Sequence, residues 1–103
     1  MAEFVRVASL AELPPGTLQG VEVDGRDVCL ANAGGTVYAF QDNCSHRDYP
    51  LHDGALEGTR LECAWHGGKF DLGSGGRAVG LPAIKPIDMY EVRIEGDDVL
   101  VAL

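Results

Sequence analysis

Apolar and polar residues alternate with a period of two along much of this chain, the spacing of a strand with one face buried. Phe4-Val5-Arg6-Val7 opens the pattern. Thr17 to Val23 and Arg26 to Asn32 read as strands flanking Asp24-Gly25, a dipeptide that favours the two-residue turn of a hairpin. Gly34-Gly35 leads into a further strand, Thr36 to Phe40. Between the first two strands, Ser9 and Glu12 have capping-box spacing, but Pro14-Pro15-Gly16 leaves room for one helical turn at most. From Asp88 the alternation returns. Tyr90, Val92 and Ile94 share one face and Glu91 and Arg93 the other, and Glu95-Gly96-Asp97 turns into Val99, Val101 and Leu103. No stretch of about 12 residues carries a helical period.

Residues 41–82 break this pattern. Eight of the 14 glycines and all three histidines fall there. Only Thr59 to Cys63 and Lys69 to Leu72 read as short strands. The expectation is an all-β sandwich or barrel of about eight to ten short strands, interrupted by an irregular Gly-rich insert at about 41–82. With no internal repeat and no linker, 103 residues suffice for a single domain, 1–103.

Charge and composition narrow the function classes. Lys and Arg total 8 against 16 Asp and Glu, a net charge of −8. Such a chain has no attraction of its own for nucleic acid or anionic lipid, and a charged partner should offer a basic face. No apolar run nears the roughly 18 residues of a membrane span. Met1-Ala2-Glu3-Phe4 lacks signal-peptide character, so the expectation is a cytoplasmic protein. The three cysteines, Cys29, Cys44 and Cys63, are odd in number, which argues against a disulfide framework and, beside histidines, towards metal.

The insert contains Cys44-Ser45-His46 and, sixteen residues on, Cys63-Ala64-Trp65-His66. Two thiolates and two imidazoles suit zinc or iron–sulfur chemistry. Structural zinc sites favour paired knuckles such as C-x₂₋₄-C and H-x₃₋₅-H. Here each half mixes its ligand types, and one pair is split by a single residue. That suits two cysteines on one metal and two histidines on another, as in a 2Fe–2S cluster with mixed ligation. A zinc-stabilised interaction module and a 2Fe–2S redox sensor are the alternatives in other functional classes.

These halves resemble the Rieske iron–sulfur motif, C-x-H-x₁₅₋₁₇-C-x₂-H. The likeness extends to Asp53-Gly54-x-Leu56, to His66-Gly67-x-x-Phe70-Asp71, to Gly75 and to the Pro82 to Pro86 segment, and so covers nearly the whole chain. The resemblance implies a Rieske-type fold with an inserted cluster-binding subdomain and one 2Fe–2S cluster. Cys44 and Cys63 would hold the inner iron and His46 and His66 the outer one. The second ring nitrogens of the histidines would face solvent, and the Pro82 segment would form a third loop beside the cluster.

The same likeness separates three kinds of Rieske protein. The respiratory type adds a disulfide between the ligand loops, but the matching positions here are Tyr49 and Trp65. It also directs serine and tyrosine hydroxyls at the cluster sulfurs, where this chain has Gly68 and Phe70. An oxygenase subunit needs a second iron site, and beyond the ligands only His52 remains. A ferredoxin is what the resemblance leaves: a monomeric electron carrier and not itself an enzyme. Its implied partners are a flavin-dependent ferredoxin reductase and a terminal oxygenase. Without the two hydroxyl donors its potential should lie low in the Rieske range, roughly −150 to 0 mV. Among the other residues, Cys29 reads as a core thiol and His52 and Arg47 as exposed loop positions. Trp65 reads as a shield or docking ring near the cluster, and the acidic residues from Asp88 to Asp98 as a solvated hairpin face.

Overall fold

The alternating segments become antiparallel strands in a computed structural model that describes residues 3–43, 50–64, 67–80 and 85–102. Ten strands occur among the described residues: β1 (Phe4–Ser9), β2 (Leu18–Val23), β3 (Arg26–Ala33), β4 (Thr36–Gln41), β5 (Ala55–Glu57), β6 (Arg60–Glu62), β7 (Lys69–Asp71), β8 (Arg77–Gly80), β9 (Met89–Glu95) and β10 (Asp98–Ala102). They make a six-stranded sheet in the order β1-β10-β9-β4-β3-β2 and a four-stranded sheet in the order β5-β6-β7-β8. The outer strands β1 and β2 of the larger sheet approach each other, so it curls into a nearly closed barrel. The all-β expectation therefore holds.

Local chemistry accounts for the joints. Asp24 and Gly25 both take positive φ, 50° and 79°, as a tight hairpin turn between β2 and β3 requires. After β1 the Glu12 carboxylate accepts from the Ser9 N–H at 3.0 Å and from the Ser9 hydroxyl at 3.1 Å, fixing the single turn Leu10–Glu12. Asn32 is buried and satisfied: its amide donates to the Leu13 carbonyl and accepts from the Gly35 N–H, each at 2.8 Å.

Strand β3 explains how the two sheets become one body. Val28-Cys29-Leu30-Ala31 is a continuous apolar run rather than an alternation, and all four residues are buried. Val28 and Leu30 point into the barrel, with Leu13, Ala39, Val99 and Val101. Cys29 and Ala31 point the other way and, with Phe40 of β4, meet Leu51, Leu61, Phe70 and Leu72 beneath the small sheet. A strand covered on both faces has no solvent side to carry polar residues. Ile94, on the face of β9 that alternation gives it in common with Tyr90 and Val92, is more exposed than either. At the end of β9 beside the Glu95-Gly96-Asp97 turn, it is 43% exposed.

Candidate functional site

The described residues of the insert flank both halves of the cysteine–histidine motif. Strands β6 and β7 form a hairpin whose ladder is extended by a hydrogen bond from the Cys63 N–H to the Gly68 carbonyl, 2.7 Å long. In sequence, residues 64–67 between the two bonded residues include His66 of the cysteine–histidine motif. Cys63 is 1% exposed, packed with Leu61 and Phe70.

The first half of the motif lies between β4 and the short turn Leu51–Asp53. Both flanks are tied down. The Gln41 amide donates to the Asn43 carbonyl at 2.7 Å, and its carbonyl oxygen accepts from the Asp88 N–H at 2.8 Å. Downstream, Leu51 is fully buried, and the Gly54 N–H closes the turn on the Leu51 carbonyl at 3.0 Å. Gly54 then lies directly on the backbone of Glu62, where any Cβ would collide with the Glu62 carbonyl. Only glycine permits that approach. It brings Gly54, downstream of the first half of the motif, against the residue preceding Cys63, eight positions on in sequence.

Of the four expected ligands, Cys63 is described as above. Cys44, His46 and His66 lie outside the described residues, as do Arg47, Tyr49, Trp65 and Pro82. Among the described residues no group of three or more His, Cys, Asp or Glu side chains is assembled for a metal ion. The donor chemistry fits a 2Fe–2S cluster with mixed ligation: a buried thiol sits at the root of a loop whose next candidate donor is an imidazole. The two positions where hydroxyls were missed are both placed. Gly68 carries only its backbone, and Phe70 is fully buried beside Cys63, with no hydrogen-bonding atom in its side chain.

His52 lies exposed in the short turn Leu51–Asp53, as expected. Its side chain is 39% exposed, yet its ring Nδ1 is hydrogen-bonded to Asp42, and that bond foremost holds the imidazole pKa above its ordinary value. Asp42 drew no attention in the sequence, because nothing in a ten-residue separation marks the two as partners. Cys29 is the core thiol expected, fully buried, with its pKa pushed up chiefly by burial. The Asp71 carboxylate accepts from the Thr59 hydroxyl, the Gly73 N–H and the Ser74 hydroxyl, at 3.0–3.1 Å. These bonds hold its pKa below the usual range and pin the turn after β7.

The profile of the Rieske [2Fe-2S] domain family matches residues 3–91. The ferredoxin component of biphenyl 2,3-dioxygenase from Rhodococcus jostii (strain RHA1) is 40% identical over 100 residues, covering 97% of this chain and 92% of that protein. The structure of the ferredoxin of carbazole 1,9a-dioxygenase from Nocardioides aromaticivorans IC177 superposes with a TM-score of 0.90 at 37% identity, covering 96% of each chain. A chain in the complex of reduced oxygenase and oxidized ferredoxin of carbazole 1,9a-dioxygenase gives a TM-score of 0.90 at 30% identity, covering 96% of this chain and 92% of that one. These matches decide between the metals that the donor set left open. The cofactor is a Rieske-type 2Fe–2S cluster, and no helix among the described residues is long and apolar enough to cross a membrane. The chain belongs to the Rieske [2Fe-2S] family, among the ferredoxin components that carry electrons in ring-hydroxylating dioxygenase systems.

Proposed function

We propose that Cys44 and Cys63 ligate one iron of the cluster and His46 and His66 the other, and that one domain, 1–103, carries both ligand loops on the insert at about 41–82. The protein then takes electrons from a flavin-dependent ferredoxin reductase and passes them singly to a terminal oxygenase, docking as a monomer. The observation that carries this reading is the junction at Gly54, which seats the end of the first loop on the backbone beside buried Cys63. Imidazoles in place of two thiolates leave the cluster less negative than one held by four cysteines, so it accepts an electron at a higher potential. The residues of this chain supply the rest. Leu51, Leu61 and Phe70 exclude water from the Cys63 side. With a net charge of −8, the protein favours a basic docking face on its partners.

The test is the content of iron and acid-labile sulfide per chain, with the electron paramagnetic resonance spectrum after reduction. Alanine at any one of Cys44, His46, Cys63 or His66 should abolish or cripple the signal and slow electron delivery to a ring-hydroxylating oxygenase. One zinc per chain without sulfide would sink the assignment.

A further inference from the structure

The Asp42 side chain is only 6% exposed, and both its oxygens are engaged by one residue. The His52 backbone N–H donates to Oδ1 at 2.8 Å, and the His52 ring Nδ1 meets Oδ2. On its far side the ring has Nε2 3.5 Å from Asp53 Oδ1. The Asp42 backbone is anchored in turn, its N–H donating to the Asp27 carbonyl at 3.1 Å. Strand β2 makes room for the pair. A Cβ on Gly20 would fall 2.7 Å from His52 Nδ1 and 2.8 Å from Asp42 Oδ2, inside van der Waals contact with both. Glycine inside a strand weakens it and marks a close approach. What approaches here is this carboxylate–imidazole pair.

In sequence Asp42 precedes Cys44 by two residues, and His52 follows His46 by six. We propose that Asp42 and His52, seated against Gly20, form a clasp across the base of the first ligand loop, and that it positions Cys44 and His46 and tunes the reduction potential. The proposal rests on the ligand assignment above. Joining residues 42 and 52 closes a loop of about ten residues before any metal arrives, so the ligands lose less freedom on binding. The electrostatic part follows from reach. Two residues span roughly 7 Å at full stretch, so the buried, poorly screened Asp42 carboxylate stays near Cys44. The Nδ1 donor of His52, hydrogen-bonded to Oδ2, draws off part of the carboxylate's field. Without its ring donor, the carboxylate opposes the arrival of an electron and the potential falls.

Asparagine places an amide nitrogen where Nδ1 of histidine lies, and glutamine does not. His52→Asn should keep the wild-type cluster lifetime and potential. His52→Gln should lose the cluster about tenfold faster under chelator challenge, the low end for a partner outside the ligand set, and show a lower midpoint potential. Gly20→Ala, which alters neither partner, should also speed cluster loss. Decay rates and potentials that match between wild type and His52→Gln would overturn the clasp. Equal impairment in the Asn and Gln variants would overturn it too, because the ring donor would then be irrelevant. The ligand assignment fails separately, if Cys44→Ala retains a wild-type cluster spectrum.

Discussion

The two sheets of this protein meet the same physical problem with different resources. The larger sheet has strands of five to eight residues and a core of its own, in which Leu13, Val28, Leu30, Val99 and Val101 are fully buried. The smaller sheet has strands of three or four residues, too short to hold together alone. Its interior consists of Leu61 and Phe70 with Leu51 and Leu72 from the flanking turns, and the opposite wall is the outer face of β3 and β4. The barrel therefore stabilises itself, whereas the small sheet leans on the barrel. The two regions share the wall formed by β3 and β4.

The largest effect that separates the regions should come from paired core truncations. Leu30→Ala removes a fully buried side chain from the barrel and Leu61→Ala one from beneath the small sheet. Each should cost about 2–5 kcal/mol locally. Leu30→Ala should lower the global unfolding free energy in denaturant. Leu61→Ala should instead speed cluster loss while leaving the hydrogen-exchange protection of β9 and β10 near wild type. Equal loss of protection in both sheets would show that they unfold as one unit.

An intermediate effect concerns the potential. Gly68→Ser with Phe70→Tyr supplies two hydroxyls beside Cys63 and should raise the midpoint potential by tens of millivolts to about 100 mV. Phe70 is fully buried, so a tyrosine hydroxyl there needs a partner. A lower melting temperature with an unchanged potential would mean that the hydroxyl found none on the cluster.

The smallest effect is a pH dependence. The folded His52 ring is more basic than the ordinary 6.5, owing first to its hydrogen bond with Asp42 and also to the charges of Asp42, Asp53 and Asp27. A raised folded pKa contributes its full stabilisation below pH 6.5 and loses it as pH rises through the folded value. The stability gap between wild type and His52→Asn should therefore shrink steadily from pH 6 upward, measured as melting temperatures across pH 5.5 to 8.5. The ring is partly exposed, and solvent screening keeps the gap small. A gap that widens with pH would reverse the assigned sign.

What was legible in the sequence follows the same division. Barrel strands with one wet face, such as β2 and β9, announce themselves by alternation and β3 by its hairpin turn, and the predicted bounds of β2, β3 and β4 differ from the observed ones by a residue or so. The ligand motif is legible because its residue types are chemically rare. Strands β5 and β8 were missed. Ala55-Leu56-Glu57 and Arg77-Ala78-Val79-Gly80 are too short to show a period, and they pair only because β6 and β7 lie between them. Gly54 could be noted as part of a resemblance, but its reason, the Glu62 carbonyl beneath it, is a tertiary contact. The bond between Asp42 and His52 is likewise invisible until the turn Leu51–Asp53 folds back onto the end of β4.

The burial of Cys29 bears on how iron reaches this protein at all. A chain with three thiols offers an incoming metal more than one pairing, and a wrong pairing would trap it. Cys29 lies fully enclosed between the two sheets, with its Sγ 3.7 Å from the Leu30 carbonyl, and burial keeps it protonated. The thiolate is the form that binds metal and reacts with peroxide, so a thiol held in this state does neither. Once the barrel has closed, the delivery machinery meets a chain with one cysteine already withdrawn. The same enclosure spares that sulfur from oxidants released by the dioxygen chemistry that the electrons feed.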